Sequence, residues 1–227
     1  MRCLSFDAAF DAVVCLDGTI PERELFQRMP RCPIVAADGA AIQLFRAYGL
    51  RADVIIGDLD AFWRAPEARM LQSARLIQIP EQETNDFEKA LQFCHQQGWR
   101  RLLIVGFQGR EPDHTLINWS VALRHARELE LCFYDSGRYG LLLWESVELA
   151  LEVGEILSLV PQPVASVRTR GLVWELTDEC LQWGVRESAR NMVRVTPVRI
   201  ELGEGVVALF CRARLPHAPR WEQCEHD

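Results

Sequence analysis

No apolar run in this 227-residue chain approaches the roughly 20 residues that a helix needs to span a bilayer. No membrane partner is therefore expected. The opening MRCLSFDAAFDAVVCLDG carries acids where a secretory signal needs an unbroken apolar segment, so no such signal is expected either. The eight cysteines, at positions 3, 15, 32, 94, 132, 180, 211 and 224, include no Cys-x-x-Cys pair. Several sit inside apolar runs, which points to buried, reduced thiols in a cytoplasmic protein. No Gly-x-Gly-x-x-Gly follows the first strand-like run, which argues against a dinucleotide-binding dehydrogenase. A nucleophile elbow is missing too, so a Ser or Cys hydrolase has no support. Excess positive charge is absent. The formal net charge is −7, which disfavours non-specific nucleic-acid binding but not a polyanion escorted by a metal ion. There is no internal repeat and no low-complexity segment.

What is present is the composition of an ordinary globular protein, with 49% hydrophobic and 25% charged residues. The length suits one large domain or two modest ones. Strand-like runs fall at 12–16, 33–37, 54–56, 74–79, 102–106 and 130–134. Helical patterns alternate with them at 21–29, 40–48, 66–72, 86–97 and 113–128. The segment Ala40–Tyr48 places Ala41, Leu44, Phe45 and Tyr48 on one face, and Gly49 stops it. Thr84 or Asn85 can cap the helix that begins at Asp86. Strict alternation of strand and helix predicts an α/β domain over residues 1–136, with a mainly parallel sheet covered by helices. After that the rhythm changes. Short strand-like runs at 139–144, 147–151, 156–160, 194–200 and 206–211 predict a smaller antiparallel β-sandwich domain over 137–215. Residues 216–227 read as a frayed tail.

One stretch organises the rest: Val54-Ile55-Ile56-Gly57-Asp58-Leu59-Asp60. A buried strand ends in glycine and then presents two carboxylates. If the chain stays extended there, Asp58 and Asp60 share one side. Two like charges about 4 Å apart repel by roughly 4 kcal/mol at an effective dielectric of about 20, so a shared cation is expected. Asp38 falls at the end of another strand, and Asp86 and Asp113 open the helices after two more. Ligands of open α/β sheets bind at the carboxyl ends of strands, so these acids converge on one rim. An oxygen-rich group of this kind suits Mg²⁺ with substrate phosphates. Lys89 and Arg110 add positive charge there, and helix N-termini add N–H donors. Among the histidines only His114 falls at the rim; His95, His125, His217 and His226 read as surface residues.

Five segments read together resemble the thiamine pyrophosphokinase family: ADGAA at 37–41, IIGDLDAF at 55–62, EQETNDFEKAL at 81–91, GREPDHTLIN at 109–118, and GLVWEL with WGVRESARN between 171 and 191. The likeness covers about residues 12 to 211. It implies an α/β domain followed by a β domain, a homodimer, and Mg²⁺-dependent transfer of pyrophosphate from ATP to the thiamine hydroxyl, releasing AMP. It implies Asp58, Asp60 and Asp86 as metal and catalytic acids, with Lys89 beside them. Asp38, Gly39, Arg110, Asp113 and His114 would serve ATP; Trp174, Ser188 and Asn191 would serve thiamine, the indole through a cation–π contact. Ala40, Ala61, Glu81 and Asn85 depart from the family's pattern, as does Glu111-Pro112 after Arg110. These departures keep two other readings in view. One is a pyrophosphokinase for a pterin alcohol; the other is a thiamine- or nucleotide-binding protein without turnover.

Overall fold

The computed structural model describes residues 1–29 and 32–224. His226 and the end of the expected tail lie outside them. The chain forms two compact units, Ala9–Ser136 and Met1–Ala8 with Gly137–Asp227. The first strand, β1 (Arg2–Ala8), thus belongs with the C-terminal part and not with the α/β domain as expected. It pairs with strands from that part of the chain, contacts invisible in local periodicity.

The α/β unit then runs β2 (Ala12–Cys15), α1 (Arg23–Arg28), β3 (Ile34–Ala37), α2 (Ala40–Tyr48), β4 (Val54–Gly57) and α3 (Asp60–Arg64). A 3₁₀ turn (Pro66–Met70), β5 (Arg75–Gln78), α4 (Asp86–Gln96), β6 (Arg101–Val105), α5 (Pro112–His125) and β7 (Glu130–Asp135) complete it. The strand order is β7-β6-β2-β3-β4-β5, and all neighbours run parallel. Parallel strands covered by helices on both faces need continuous apolar runs. Val13, Val14, Val35, Ile55, Ile56, Leu103 and Ile104 are accordingly buried. Helix α4 is capped as its sequence suggests, with Asn85 Oδ1 accepting the Glu88 N–H at 2.9 Å. The strand order reverses between β2 and β6, and this creates the crevice where ligands of such sheets bind.

The other unit is built on two long antiparallel strands, β10 (Ile156–Arg170) and β13 (Val198–Arg212). The short strands are β8 (Arg138–Leu143), β9 (Val147–Leu149), β11 (Glu179–Gln182) and β12 (Ser188–Met192). β13 pairs with β9 at one end and β8 at the other, while β10 pairs with β12 and β11. Residues 198–200 of one expected run and the whole run at 206–211 fall in this one strand, β13, which passes a register shift near Gly205, while 194–197 lie before it. Residues 218–223 are not frayed: β14 (Ala218–Gln223) pairs with β1 through Arg2–Ala8, and Ala218 is buried. A Cys3–Cys224 disulfide joins β1 to the residue that follows β14. This corrects the expectation that all cysteines are reduced; the other six form no disulfide. Burial pushes the Cys32, Cys94 and Cys211 thiols up to about 12.

Candidate active site

The chain does not stay extended after Gly57. Leu59 turns into the left-handed region (φ 64°) and α3 begins at once with Asp60. Its first turn is capped from a distance: Asp38 accepts the backbone N–H groups of Ala61 at 3.1 Å and Phe62 at 2.9 Å. The helix swings Asp60 away from Asp58. Its carboxylate is about half exposed and pairs with Arg64 one turn on. Asp38 takes the vacated place. Carboxylate oxygens of Asp38, Asp58 and Asp86 lie within 4.8 Å of one another, and Asp60 is not in the group. The structure thus places Asp60, expected as a metal ligand beside Asp58, outside this group and paired with Arg64.

Gly57 makes the convergence possible. A Cβ there would lie 2.9 Å from the Asp86 carboxyl carbon and 3.1 Å from the Asp38 Cβ, and φ of +151° strains any other residue. The acids are not equivalent. Burial pushes Asp38 above the usual carboxylate range, against the pull of its two backbone donors. Burial likewise raises Asp86, with Lys89 opposing it. Asp58 is held below its ordinary value, first by the Gln82 amide, which donates to it at 3.0 Å, and then by the Asp60 N–H. Three carboxylates with raised and lowered proton affinities at one point form a hard oxygen set, which fits Mg²⁺.

Lys89 does not reach the open rim. It is only 2% exposed, and its ammonium donates to the Glu81 carbonyl at 2.9 Å and to Asp86 at 3.4 Å. It serves as an internal countercharge to the acids. A cavity of about 580 Å³ adjoins them, lined by Asp38, Asp86, Arg64, Arg110 and His114 among others. Arg110 sits at its edge and pairs with Asp17 at 2.5 Å. Asp17 also lines the cavity but reads in the sequence only as the Asp-Gly turn after β2. The parallel with Asp38-Gly39, an equivalent strand end, is the signal that marks it. Asp113 and His114 open α5 beside Glu111 as a second, exposed group. Gly39 lies before α2, close enough to Asp17 that a Cβ would be 3.1 Å from its Oδ1. Among the described histidines expected at the surface, His125 is instead largely buried and meets Glu88 at 3.0 Å.

In the β unit, Trp174, Ser188 and Asn191 come together. Asn191 is buried; its Oδ1 accepts from the Trp174 N–H at 3.2 Å and the Met192 N–H at 2.8 Å. Its Nδ2 donates to the Trp174 carbonyl at 2.6 Å and to Ser188 Oγ at 3.4 Å. The amide is thereby fully engaged in bracing the loop that carries Trp174, while the indole itself is 62% exposed. The carboxylate of Glu175 ties the same loop by accepting from the Gly171 and Leu172 N–H groups.

Residues 30–133 match the family model of the thiamin pyrophosphokinase catalytic domain, and residues 146–207 match that of its vitamin B1 binding domain. The chain is 28% identical over 203 residues to thiamine pyrophosphokinase 1 of Oryza sativa subsp. japonica, covering 82% of this chain and 74% of that one. It is 22% identical over 189 residues to thiamin pyrophosphokinase 1 of Caenorhabditis elegans, covering 76% of each. In fold it is similar to thiamin pyrophosphokinase from Candida albicans, with a TM-score of 0.74 at 14% identity, covering 94% of this chain and 99% of that one. The Bacillus subtilis thiamine pyrophosphokinase gives a TM-score of 0.73 at 16% identity, covering 90% and 100%. With both halves of the chain matched in order, the protein belongs to the thiamine pyrophosphokinase family, enzymes that form thiamine diphosphate.

Proposed function

We propose that the rim formed by Asp38, Asp58 and Asp86 is the reaction centre, where ATP in the presence of Mg²⁺ yields a pyrophosphoryl group to the thiamine hydroxyl. The observation that carries this reading is the convergence of three carboxylates beside a cavity edged by Arg110. Asp58 and Asp86, with Asp38, would hold the ion; when bound, it neutralises phosphate charge as the leaving group departs. Arg110 grips phosphate oxygens with its planar fork, and the first turn of α5 after Pro112 adds the N–H donors of Asp113 and His114. Lys89 balances Asp86 from within, which allows three acids to stand together before the ion arrives. The thiamine oxygen attacks the β-phosphorus in line, the bond to the α-phosphate oxygen breaks, and AMP leaves. Asp58 or Asp86 takes the hydroxyl proton. Catalysis is mainly positioning and charge neutralisation.

In the β unit, Trp174 offers a flat, exposed face to the cationic thiazolium, on a loop held by Asn191 and Glu175. Ser188, which accepts from the Asn191 amide, adds a hydroxyl beside that support. The adjacent exposed side chains of Leu116 and Ile117 on α5 support a homodimer, since neighbouring uncovered apolar residues mark association surfaces. The buried thiols of Cys15, Cys94 and Cys211, none in a disulfide, support a cytoplasmic enzyme, against the single Cys3–Cys224 bridge. No helix among the described residues is long and apolar enough to cross a membrane.

The deciding assay measures AMP release from ATP and Mg²⁺ with thiamine or a hydroxymethylpterin as acceptor. AMP release with thiamine alone is expected. Release only with the pterin would reassign the acceptor, and calorimetric thiamine binding without AMP would mark a binding protein.

A further inference from the structure

We propose that Asp17 is a positioning residue that sets Arg110 for the triphosphate, a role that rests on the ATP site assigned above. Asp17 follows β2, the strand next to the reversal in strand order, where the ligand crevice opens. Its carboxylate is held in two ways before any ligand arrives. Gln43 on α2 donates to Oδ1, and the bare backbone of Gly39 leaves the space it occupies, since a Cβ there would stand 3.1 Å from Oδ1. The other oxygen, Oδ2, takes Nη1 of Arg110 at 2.5 Å.

Arg110 projects from the Gly109-containing loop with its side chain more than half exposed. A long, exposed side chain of this kind samples many rotamers, and an anion that recruits it must order it first. Asp17 removes that cost in advance. A surface ion pair adds little to fold stability, so the pairing has small structural value by itself. One of the five guanidinium N–H donors faces Asp17, which leaves the rest of the fork for phosphate oxygens. The pair lies on the wall of the cavity that also touches Asp38 and Asp86. Holding a cation there also offsets the negative charge of Asp17, which would otherwise repel the polyanion.

The test is a double-mutant cycle read by Mg-ATP binding in calorimetry without thiamine, and by the split between KM for ATP and kcat. Asp17→Asn, isosteric and uncharged, is expected to weaken Mg-ATP binding and raise KM by about three- to tenfold with kcat within about twofold. In the Arg110→Ala background the same substitution is expected to change neither value. Melting curves of Asp17→Asn and Asp17→Ala check that both variants fold. Tighter ATP binding by Asp17→Asn would show that Asp17 competes with phosphate for Arg110 and would overturn the proposal. Equal weakening with and without Arg110 would overturn it as well. A wild-type protein that binds no Mg-ATP would sink the ATP site itself together with this role; one that binds it while the cycle is additive would sink this role alone.

Discussion

Asp38 accepts the backbone N–H of Phe62 at 2.9 Å across 24 residues of sequence, and this one bond fixes which acids meet. With its other oxygen on the Ala61 N–H, Asp38 does the work of an N-cap that Leu59 cannot do. Replacing it by alanine leaves two N–H groups, one of them buried, without their acceptor. Asp38→Ala is expected to lower unfolding stability by about 1–3 kcal/mol, read from urea midpoints at constant m-value. An unchanged midpoint would mean that α3 does not depend on this cap.

Asp58 and Asp86 should be far less replaceable than Asp60. Either asparagine variant at 58 or 86 removes charge from the shared oxygen group. AMP release is expected to fall by about 10²–10³-fold, as when a transition-state electrostatic contact is removed, with the far-UV CD spectrum retained. Asp60 only pairs with Arg64 on an exposed helix face. Asp60→Asn should keep turnover within about threefold, a surface-pair effect. Equal losses at 58 and 60 would return Asp60 to the metal site.

The difference between Asp38 and Asp60 shows how far the sequence could be read. Apolar runs located every parallel strand of the α/β unit: the inner strands are buried along their length, and the half-exposed edge strand β5 still carries Leu76-Ile77 at its centre. They also put Asp38, Asp58 and Asp86 on one rim. The placement of Asp60 depended on a single residue, Leu59, entering φ of 64°, which no local pattern announces for leucine. Strands β1 and β14 failed for another reason. Their partners lie more than 200 residues apart in sequence, as in Cys3 beside Glu222, and only long-range pairing makes them strands. The sequence puts Lys89 at the open rim with Arg110; its burial instead accompanies a hydrogen bond to the Glu81 carbonyl from the turn before α4.

Metal binding should depend on pH with a definite sign. Burial raises Asp38 and Asp86, so without an ion these groups bind protons more tightly in the folded than in the unfolded protein. Their contribution to stability is present at low pH and lost as pH rises through the raised values. A cation that replaces the protons reverses this. The rise in Tm caused by Mg²⁺ is expected to grow from about pH 5 to about pH 8 and to vanish in Asp58→Asn. A Mg²⁺ effect independent of pH would place the ion elsewhere.

Glu88 carries the opposite sign. The guanidinium of Arg124, at 2.6 Å, holds its carboxyl below the usual range, with His125 adding to it. A lowered folded value means that the unfolded chain binds the proton first, so stability is present above the unfolded pKa of about 4.3 and lost as pH falls through the depressed value. Glu88→Gln should cost about 1 kcal/mol at neutral pH and nothing near pH 2, read by urea midpoints of both proteins. A cost that persists in acid would assign the loss to packing between α4 and α5.

Asn191 should govern thiamine affinity without touching thiamine. Its side chain makes four hydrogen bonds, two to the backbone of Trp174 and one each to Met192 N–H and Ser188 Oγ. Alanine there frees the loop while leaving the indole in place. Asn191→Ala is expected to raise KM for thiamine by about tenfold with KM for ATP unchanged, because a loop that must be ordered on binding loses affinity in proportion to that cost. Trp174→Ala should do the same, and the double variant should be no worse than the more impaired single one, since both remove one presented surface. Additive losses would give Asn191 a contact of its own with the acceptor, and an unchanged KM would mean the loop holds its shape through Glu175 alone.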